Sequence, residues 1–390
     1  MPGASALAAG SVYTGRVIKM MFHSEGVAYM LLRFWRLGRA LLAVGLLSAV
    51  AVAQENPFLG RWALSPAVGG AGWLEIREAG GCLEGALLWM GGSPETQSRI
   101  YLDGDSLCCI RVRNDEIRDD SGNVVRIQVN PITLTAKVSG DTMNGVLSEP
   151  AYDSRSVIRQ QFTGMRIPPL PPRPDLAKLR FGAPIELFNG RNLDGWAVIG
   201  GPHWAQVKSQ TPGANPSEGW VPMDKDVANG WSVKDGVLIN DPVQHEGQPH
   251  LRYGNLATRD EFEDFRLSLE VNVLPGGNSG IYLRGIYEVQ VIDSFGKPLD
   301  CHNMGAIYGR ITPSTSAEKP AGEWQSLDIL LVDRHATITL NGKVIIDNEP
   351  LAGCTGGALW SNEALPGPVY FQGDHTGVQY RNIVLRPVIK

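Results

Sequence analysis

Apolar residues recur at every second position along much of this chain. In FEDFRLSLEVNV, Phe265, Leu267, Leu269, Val271 and Val273 alternate with Arg266, Ser268, Glu270 and Asn272, which predicts a strand with one buried face. WQSLDILLV continues the pattern. ATITLNGKVIIDN predicts a hairpin whose Asn341-Gly342 turn suits the type I′ geometry of a two-residue loop. Upstream, WLEIRE, GALLWMGG, SLCCIRVR, VVRIQVN, ITLTAKVSG, DTMNGVLS and SVIRQQFTGMR are strand-length runs divided by Gly, Asp and Asn. No long amphipathic helix and no regular βαβ alternation breaks the series, which argues against a parallel sheet. The pattern therefore predicts an all-β protein. A small antiparallel β-barrel or sandwich comes first, followed by two antiparallel sheets packed face to face as a jelly-roll β-sandwich.

The boundary between the two is IPPLPPRPDLAKLRFGAP, residues 167–184, whose prolines favour an extended, semi-rigid linker. It divides an all-β unit at 54–166 from a sandwich at 185–390. The first unit opens on NPFLGRWALS, which resembles the Gly-x-Trp start of lipocalin-like barrels, where a Trp plugs one end. It shows no converging polar cluster, so a docking or stabilising module is favoured over a ligand cup. Residues 1–53 read as a signal peptide with an upstream mis-start. Arg33, Arg36 and Arg39 precede an apolar run from Ala40 to Ala53 that closes on Ala51-Val52-Ala53, and Met30 is the more natural start. The run is short for a bilayer span, and an uncleaved anchor is the lesser alternative. The expectation is a mature chain beginning near Gln54, periplasmic or secreted, with no membrane span after signal cleavage.

Composition adds exclusions. The 390 residues suffice for two cores, and 46 Gly with 26 Pro suit many short strands. A net charge of -5, without any run of like charges, provides no field for nucleic acid. The five cysteines lack C-x-x-C spacing, so no zinc site is predicted. In an oxidising compartment Cys301 with Cys354, and Cys82 with Cys108 or Cys109, are the available pairings, and an odd count leaves at least one thiol over. No cofactor is expected. Glu270, Asp293 and Asp300 offer hard oxygens for a structural calcium, although no loop spacing demands one.

The stretch GGNSGIYLRGIYEVQVID raises the chemical question, because it carries a cation, an acid and an amide among strongly strand-prone residues. If Ile281, Leu283, Val289 and Val291 face the core, then Tyr282, Arg284, Glu288 and Gln290 share the opposite face. In VYFQGDH, Val369 and Phe371 go inward while Tyr370, Gln372 and Asp374 go outward, with His375 just beyond. The bland alternative is solvated decoration, but this repertoire on neighbouring strands favours a site.

Seven blocks in order then carry a resemblance: IELFNGRNLDGW, GWSVKDGVLIND, LATRDEFEDFRLSLEVNVLPGGNSGIYLRGIYEVQVIDSFG, MGAIYG, GEWQSLDILL, LNGKVIIDN and GPVYFQGDHTGVQYRNIVLRPV. Together they resemble the 3-keto-disaccharide hydrolase domain, a concanavalin A-like sandwich, across 185–390. The resemblance implies an enzyme acting on glycosides already oxidised to a ketone at C3. Family members often read Asp-Cys-Gly-Ala-Ile-Tyr-Gly where this chain has DCHNMGAIYG, so His302, Asn303 and Met304 stand between Cys301 and Gly305. That departure lies beside the expected cleft. Residues 203–230 look like an enlarged loop, a candidate lid or specificity loop.

Retaining glucanases of this sandwich class use two carboxylates about 5 Å apart, in a Glu-x-Asp-x-x-Glu pattern. Here Glu288-Val289-Gln290-Val291-Ile292-Asp293 puts an amide where the helper acid belongs, and no second Glu follows, which disfavours double displacement. A C3 ketone permits another route: it acidifies the C2 proton, the enolate expels the C1 group, and water adds back or does not. The roles expected on that route are His375 or Glu288 as base, and Arg284 with Gln290 for the enolate oxygen. Tyr308 or Asp374 would assist the leaving group, while Tyr282 and Gln372 complete the substrate contacts. The alternative is a non-catalytic carbohydrate-binding module of the envelope, with Tyr282, Tyr370 and Trp360 as aromatic platforms. A third reading is a structural or adhesive envelope protein.

Overall fold

A computed structural model describes residues 56–151, 155–200, 227–248 and 251–390. The leader read at 1–53 and all but the last four residues of the 203–230 loop lie outside the described residues. Among those described, no helix is long and apolar enough to cross a membrane.

The alternation read from the sequence is realised as strands nearly throughout. The first sheet contains β1 (Gly60–Pro66), β2 (Gly72–Ala79), β3 (Cys82–Trp89), β4 (Gly91–Thr96) and β5 (Arg99–Asp103). It continues with β6 (Ser106–Arg118), β7 (Val124–Ser139), β8 (Thr142–Pro150) and β9 (Val157–Arg166). Their order, β4-β3-β2-β1-β9-β8-β7-β6-β5, is an antiparallel meander whose last strand returns beside the first. The sheet curls into a half-barrel, and the amide of Gln97, just past β4, donates to the Gly85 carbonyl and extends the β3–β4 pairing. Trp62 sits fully buried inside, its indole N–H donating to the Phe58 carbonyl at 2.9 Å while the Arg166 guanidinium covers the ring at 4.2 Å.

Strands β1 to β3 are buried on both faces. Trp62, Leu64, Leu74, Ile76 and Leu87 fill the half-barrel. The residues between them, Ala63, Trp73 and Leu88, belong instead to the core of the following sandwich. A strand alternates its side chains, so a sheet packed on two sides must be apolar on both. The connecting segment is tied down as well. Ile167 is buried, Arg334 donates to the Pro168 and Pro169 carbonyls, and Asn348 donates to that of Pro174 at 3.0 Å.

After a single 3-10 turn at Leu176–Lys178 come the short strands β10 (Arg180–Phe181) and β11 (Ile185–Glu186). The larger sandwich sheet comprises β13 (Trp231–Lys234), β14 (Val237–Asn240), β16 (Phe265–Val273), β19 (Gln325–Val332), β20 (His335–Leu340), β21 (Lys343–Pro350) and β23 (Val378–Ile389). Its order is β13-β14-β23-β16-β19-β20-β21, with β10 and β11 also on β23. The smaller sheet comprises β12 (Trp196–Ile199), β15 (Asn255–Thr258), β17 (Asn278–Leu283), β18 (Tyr287–Ile292) and β22 (Tyr370–Phe371), in the order β12-β15-β22-β17-β18. The two sheets pack face to face as a sandwich. Phe371 of the small sheet stacks on Tyr380 of the large one at 4.3 Å, and Val289, Val291 and Ile281 are fully buried. Asn341 and Gly342 both hold positive φ, as a type I′ hairpin turn requires.

Two options from the sequence change here. All five cysteines are free thiols, so neither proposed pairing is made. Cys108 and Cys109 point to opposite faces of β6, and Cys109 lies in the half-barrel core, where burial pushes its thiol up to about 12. The three carboxylates offered for calcium are separately engaged. Glu270 pairs with Arg381 at 2.8 Å, Asp293 accepts from the Gly276 amide, and Asp300 accepts from the His302 amide. Among the described residues no three His, Cys, Asp or Glu side chains group as a metal site.

Candidate active site

Because β18 pairs with β17 in the register Tyr282↔Glu288 and Gly280↔Gln290, these residues share the face turned away from the sandwich core. Tyr370 of β22 lies opposite Tyr282 on the other side. The outer face is not open to solvent. It forms the floor of a cavity of about 430 Å³, a size ordinary for a small-molecule site. The structure brings Tyr282, Glu288, Gln290, Tyr308, Gln372, Asp374 and His375 to this one cavity.

Glu288 is its chemical centre. The side chain is almost wholly buried, and burial, opposed by the Tyr282 hydrogen bond and reinforced by the Asp374 charge, pushes its pKa up to about 8. Tyr282 Oη lies 2.8 Å from Glu288 Oε2 and 2.8 Å from the Gly356 carbonyl oxygen. The Tyr282 hydroxyl is the donor to both acceptors and shares its one hydrogen between them. A pKa raised to about 8 favours the neutral acid near pH 7. Room for it comes from Gly280, where a Cβ would lie 2.3 Å from Glu288 Oε1. Its backbone is fixed by Thr355, whose Oγ1 accepts from the Glu288 amide at 3.0 Å, and by the Tyr308 amide, which donates to the Glu288 carbonyl.

At the more exposed side of the cavity, Asp374 Oδ1 holds His375 Nδ1 at 2.8 Å. This contact raises the imidazole pKa above its ordinary value, against a smaller opposing effect of burial. A carboxylate on Nδ1 orients the ring and leaves Nε2 for chemistry.

Arg284 is a correction. Strand alternation predicts it beside Tyr282, but β17 ends at Leu283 and Arg284 begins the turn to β18 at φ 56°. Its guanidinium donates to the Glu363 and Leu365 carbonyls and is absent from the cavity lining. The aromatic platforms are a second correction. Tyr282 and Tyr370 stack on each other at 4.0 Å and are 1% exposed, and Trp360 is 3% exposed, so none offers a ring face to a sugar.

The family model for the 3-keto-alpha-glucoside-1,2-lyase-like domain matches residues 183–386, just over half of the chain. The chain belongs to this family. The match covers the sandwich with every cavity residue named above and leaves the half-barrel outside it. Two similar solved structures come from Parabacteroides distasonis ATCC 8503, each named a "putative glycosyl hydrolase". One is 26% identical, with 56% of this chain and 93% of that chain covered at a TM-score of 0.38. The other is 20% identical, covering 52% and 93%, also at 0.38. A non-specific endo-β-1,3(4)-glucanase is 10% identical, covering 58% and 94% at a TM-score of 0.30. Comparison with curated proteins finds no match.

Several residues around the family cavity were not singled out from the sequence: Gly280, Thr355, Gly356, Gly357, and Gly91 with Gly92 of the half-barrel. The available signal was glycine. A lone Gly inside a strand, or a Gly pair after an apolar run, marks a place where another group approaches the backbone closely.

Proposed function

We propose that this protein is an exported enzyme that cleaves 3-keto-glycosides by elimination across C1 and C2, with hydration of the product making the net reaction a hydrolysis. The observation that carries the reading is the pairing, in one cavity, of a buried carboxyl group of raised pKa with an aspartate-oriented imidazole. Such a pair suits the removal of one proton and the delivery of another. His375 Nε2 takes the C2 proton, made acidic by the neighbouring ketone, and the C–H electron pair delocalises into the enolate. The enolate then re-forms the ketone, creates the C1=C2 double bond and releases the C1–O electron pair to the leaving oxygen, which takes the proton of Glu288. Gln290 and Tyr308 are the candidate donors to the enolate oxygen, in place of Arg284. Hydration, where it follows, adds water across C1=C2 and reverses the proton roles.

Support for enzymatic cleavage over simple sugar binding lies in the burial of Tyr282, Tyr370 and Trp360, the aromatic platforms of the binding-module reading. The test is purified protein on a 3-keto-glucoside and on its unoxidised parent, run in D₂O. Expected are aglycone release from the keto form alone, deuterium at C2 of any hydrated product, and kcat lower by about 10²–10⁴-fold in Glu288→Gln and in His375→Ala. Cleavage of the parent at an equal rate, or wild-type turnover by Glu288→Gln, overturns the reading.

A further inference from the structure

The half-barrel lies outside the family domain, yet it reaches the cavity. Its turn from β3 into β4, Met90 with the first two residues of β4, places Gly91 and Gly92 in the cavity lining beside Gly356 and Gly357 of the sandwich. The two backbones are in contact. The Gly357 amide donates to the Met90 carbonyl at 3.0 Å, and a Cβ on Gly356 would lie 2.3 Å from the Gly92 carbonyl oxygen. The other side of this seam supports the acid. Gly356 supplies the carbonyl for Tyr282, the partner of Glu288, and Gly357 supplies the one for Tyr370. The turn is also held where the chain departs from its family's pattern. His302 Nε2 lies 2.9 Å from Ser93 Oγ, and Gly309 keeps the space that Ser93 occupies.

Gly91 differs from Gly356 in one respect. A Cβ built on it meets no atom within 4 Å, and its φ lies outside the left-handed region. It is glycine without being forced to be so by packing or backbone, and it borders the hollow. Without a side chain at Gly91, this border of the cavity is bare peptide. That surface suits the hydroxyl groups of a sugar.

We propose that the Met90–Gly92 turn of the half-barrel is a wall of the glycoside-binding cavity, and that Gly91 sets how large a group beyond the reacting sugar ring is admitted. This rests on the glycoside reading above and adds that the half-barrel takes part in substrate selection. The experiment compares full-chain wild type with Gly91→Ala and Gly91→Trp on a 3-keto-disaccharide and on methyl 3-keto-glucoside. Calorimetric titration of all three proteins with the unoxidised disaccharide is added. Expected for Gly91→Trp is a KM for the disaccharide raised tenfold or more, kcat within twofold, little change on the methyl glycoside and an unchanged thermal midpoint, with Gly91→Ala intermediate. Turnover by wild type with an unaltered disaccharide KM in Gly91→Trp sinks the wall and spares the catalytic reading. Disaccharide binding without turnover, weakened tenfold by Gly91→Trp, sinks the catalytic reading and keeps the wall. No binding or turnover of any glycoside by wild type overturns both.

Discussion

Glu288 shows how little of a residue's chemistry is carried by its identity. An exposed glutamate is ionised at neutral pH, whereas this one is held protonated by burial, with its pKa raised to about 8. The sign for stability follows. Between the ordinary carboxyl range and about pH 8 the folded chain holds a proton that the unfolded chain has released, so stability falls as pH rises through that window. Glu363 and His375, also shifted upward, act with the same sign, so the difference from a variant isolates Glu288. Glu288→Gln should be less destabilised than wild type between pH 5 and 9, measured as thermal midpoint against pH. Equal slopes in the two proteins would show that the carboxyl is ionised in the folded state. For catalysis the same shift predicts a fall in kcat as pH rises through about 8, where the acid is lost. With His375 as the proposed base, the acid limb should follow protonation of this imidazole, whose pKa lies above its ordinary value.

At the level of the element, the β17–β18 hairpin separates two roles that the sequence pattern joined. Its strands present Tyr282, Glu288 and Gln290 to the cavity, while its turn sends Arg284 to brace the 363–365 segment. Arg284→Ala leaves the Glu363 and Leu365 carbonyls without this donor, a cost of about 1–3 kcal/mol for each carbonyl. The expected result is a lower thermal midpoint with kcat retained well below it, and a selective loss of kcat in a fully folded variant would return Arg284 to the chemistry. Gly280→Ala is the converse. Its methyl group would compete for the space of Glu288 Oε1, and a displaced acid should lower kcat about 10²-fold or more. Circular dichroism and a KM close to wild type would separate that effect from unfolding.

On the scale of the whole molecule, the half-barrel and the sandwich share a core, and the described residues fall in one compact unit spanning Glu55–Lys390. Trp73 of β2 is the joint. It is buried among sandwich residues, Arg310 covers its ring at 4.2 Å, and a Cβ on Gly353 would lie 2.4 Å from its indole nitrogen. The Ser361 hydroxyl adds a 2.9 Å hydrogen bond to the Leu64 carbonyl. A shared core predicts a single cooperative transition in denaturant for the full chain. Trp73→Ala should cost about 3–5 kcal/mol, read from the midpoint shift, and two resolved transitions in wild type would disprove the joint.

The chain's period-two pattern was enough to determine the all-β class, the alternating faces of β16, the 341–342 turn and the polar set along β17, β18 and β22, because these depend on neighbours a few residues apart. Alternation also gave Val289 and Val291 to the interior. It overreached at Arg284, since a strand's end is set by the turn that follows and a positive φ ends the period. The protonation of Glu288, the burial of Tyr282 and Tyr370, and the joining of Gly92 to Gly356 were decided only by tertiary structure. Each depends on groups tens to hundreds of residues apart excluding water from the same small volume, and no local spacing encodes that exclusion.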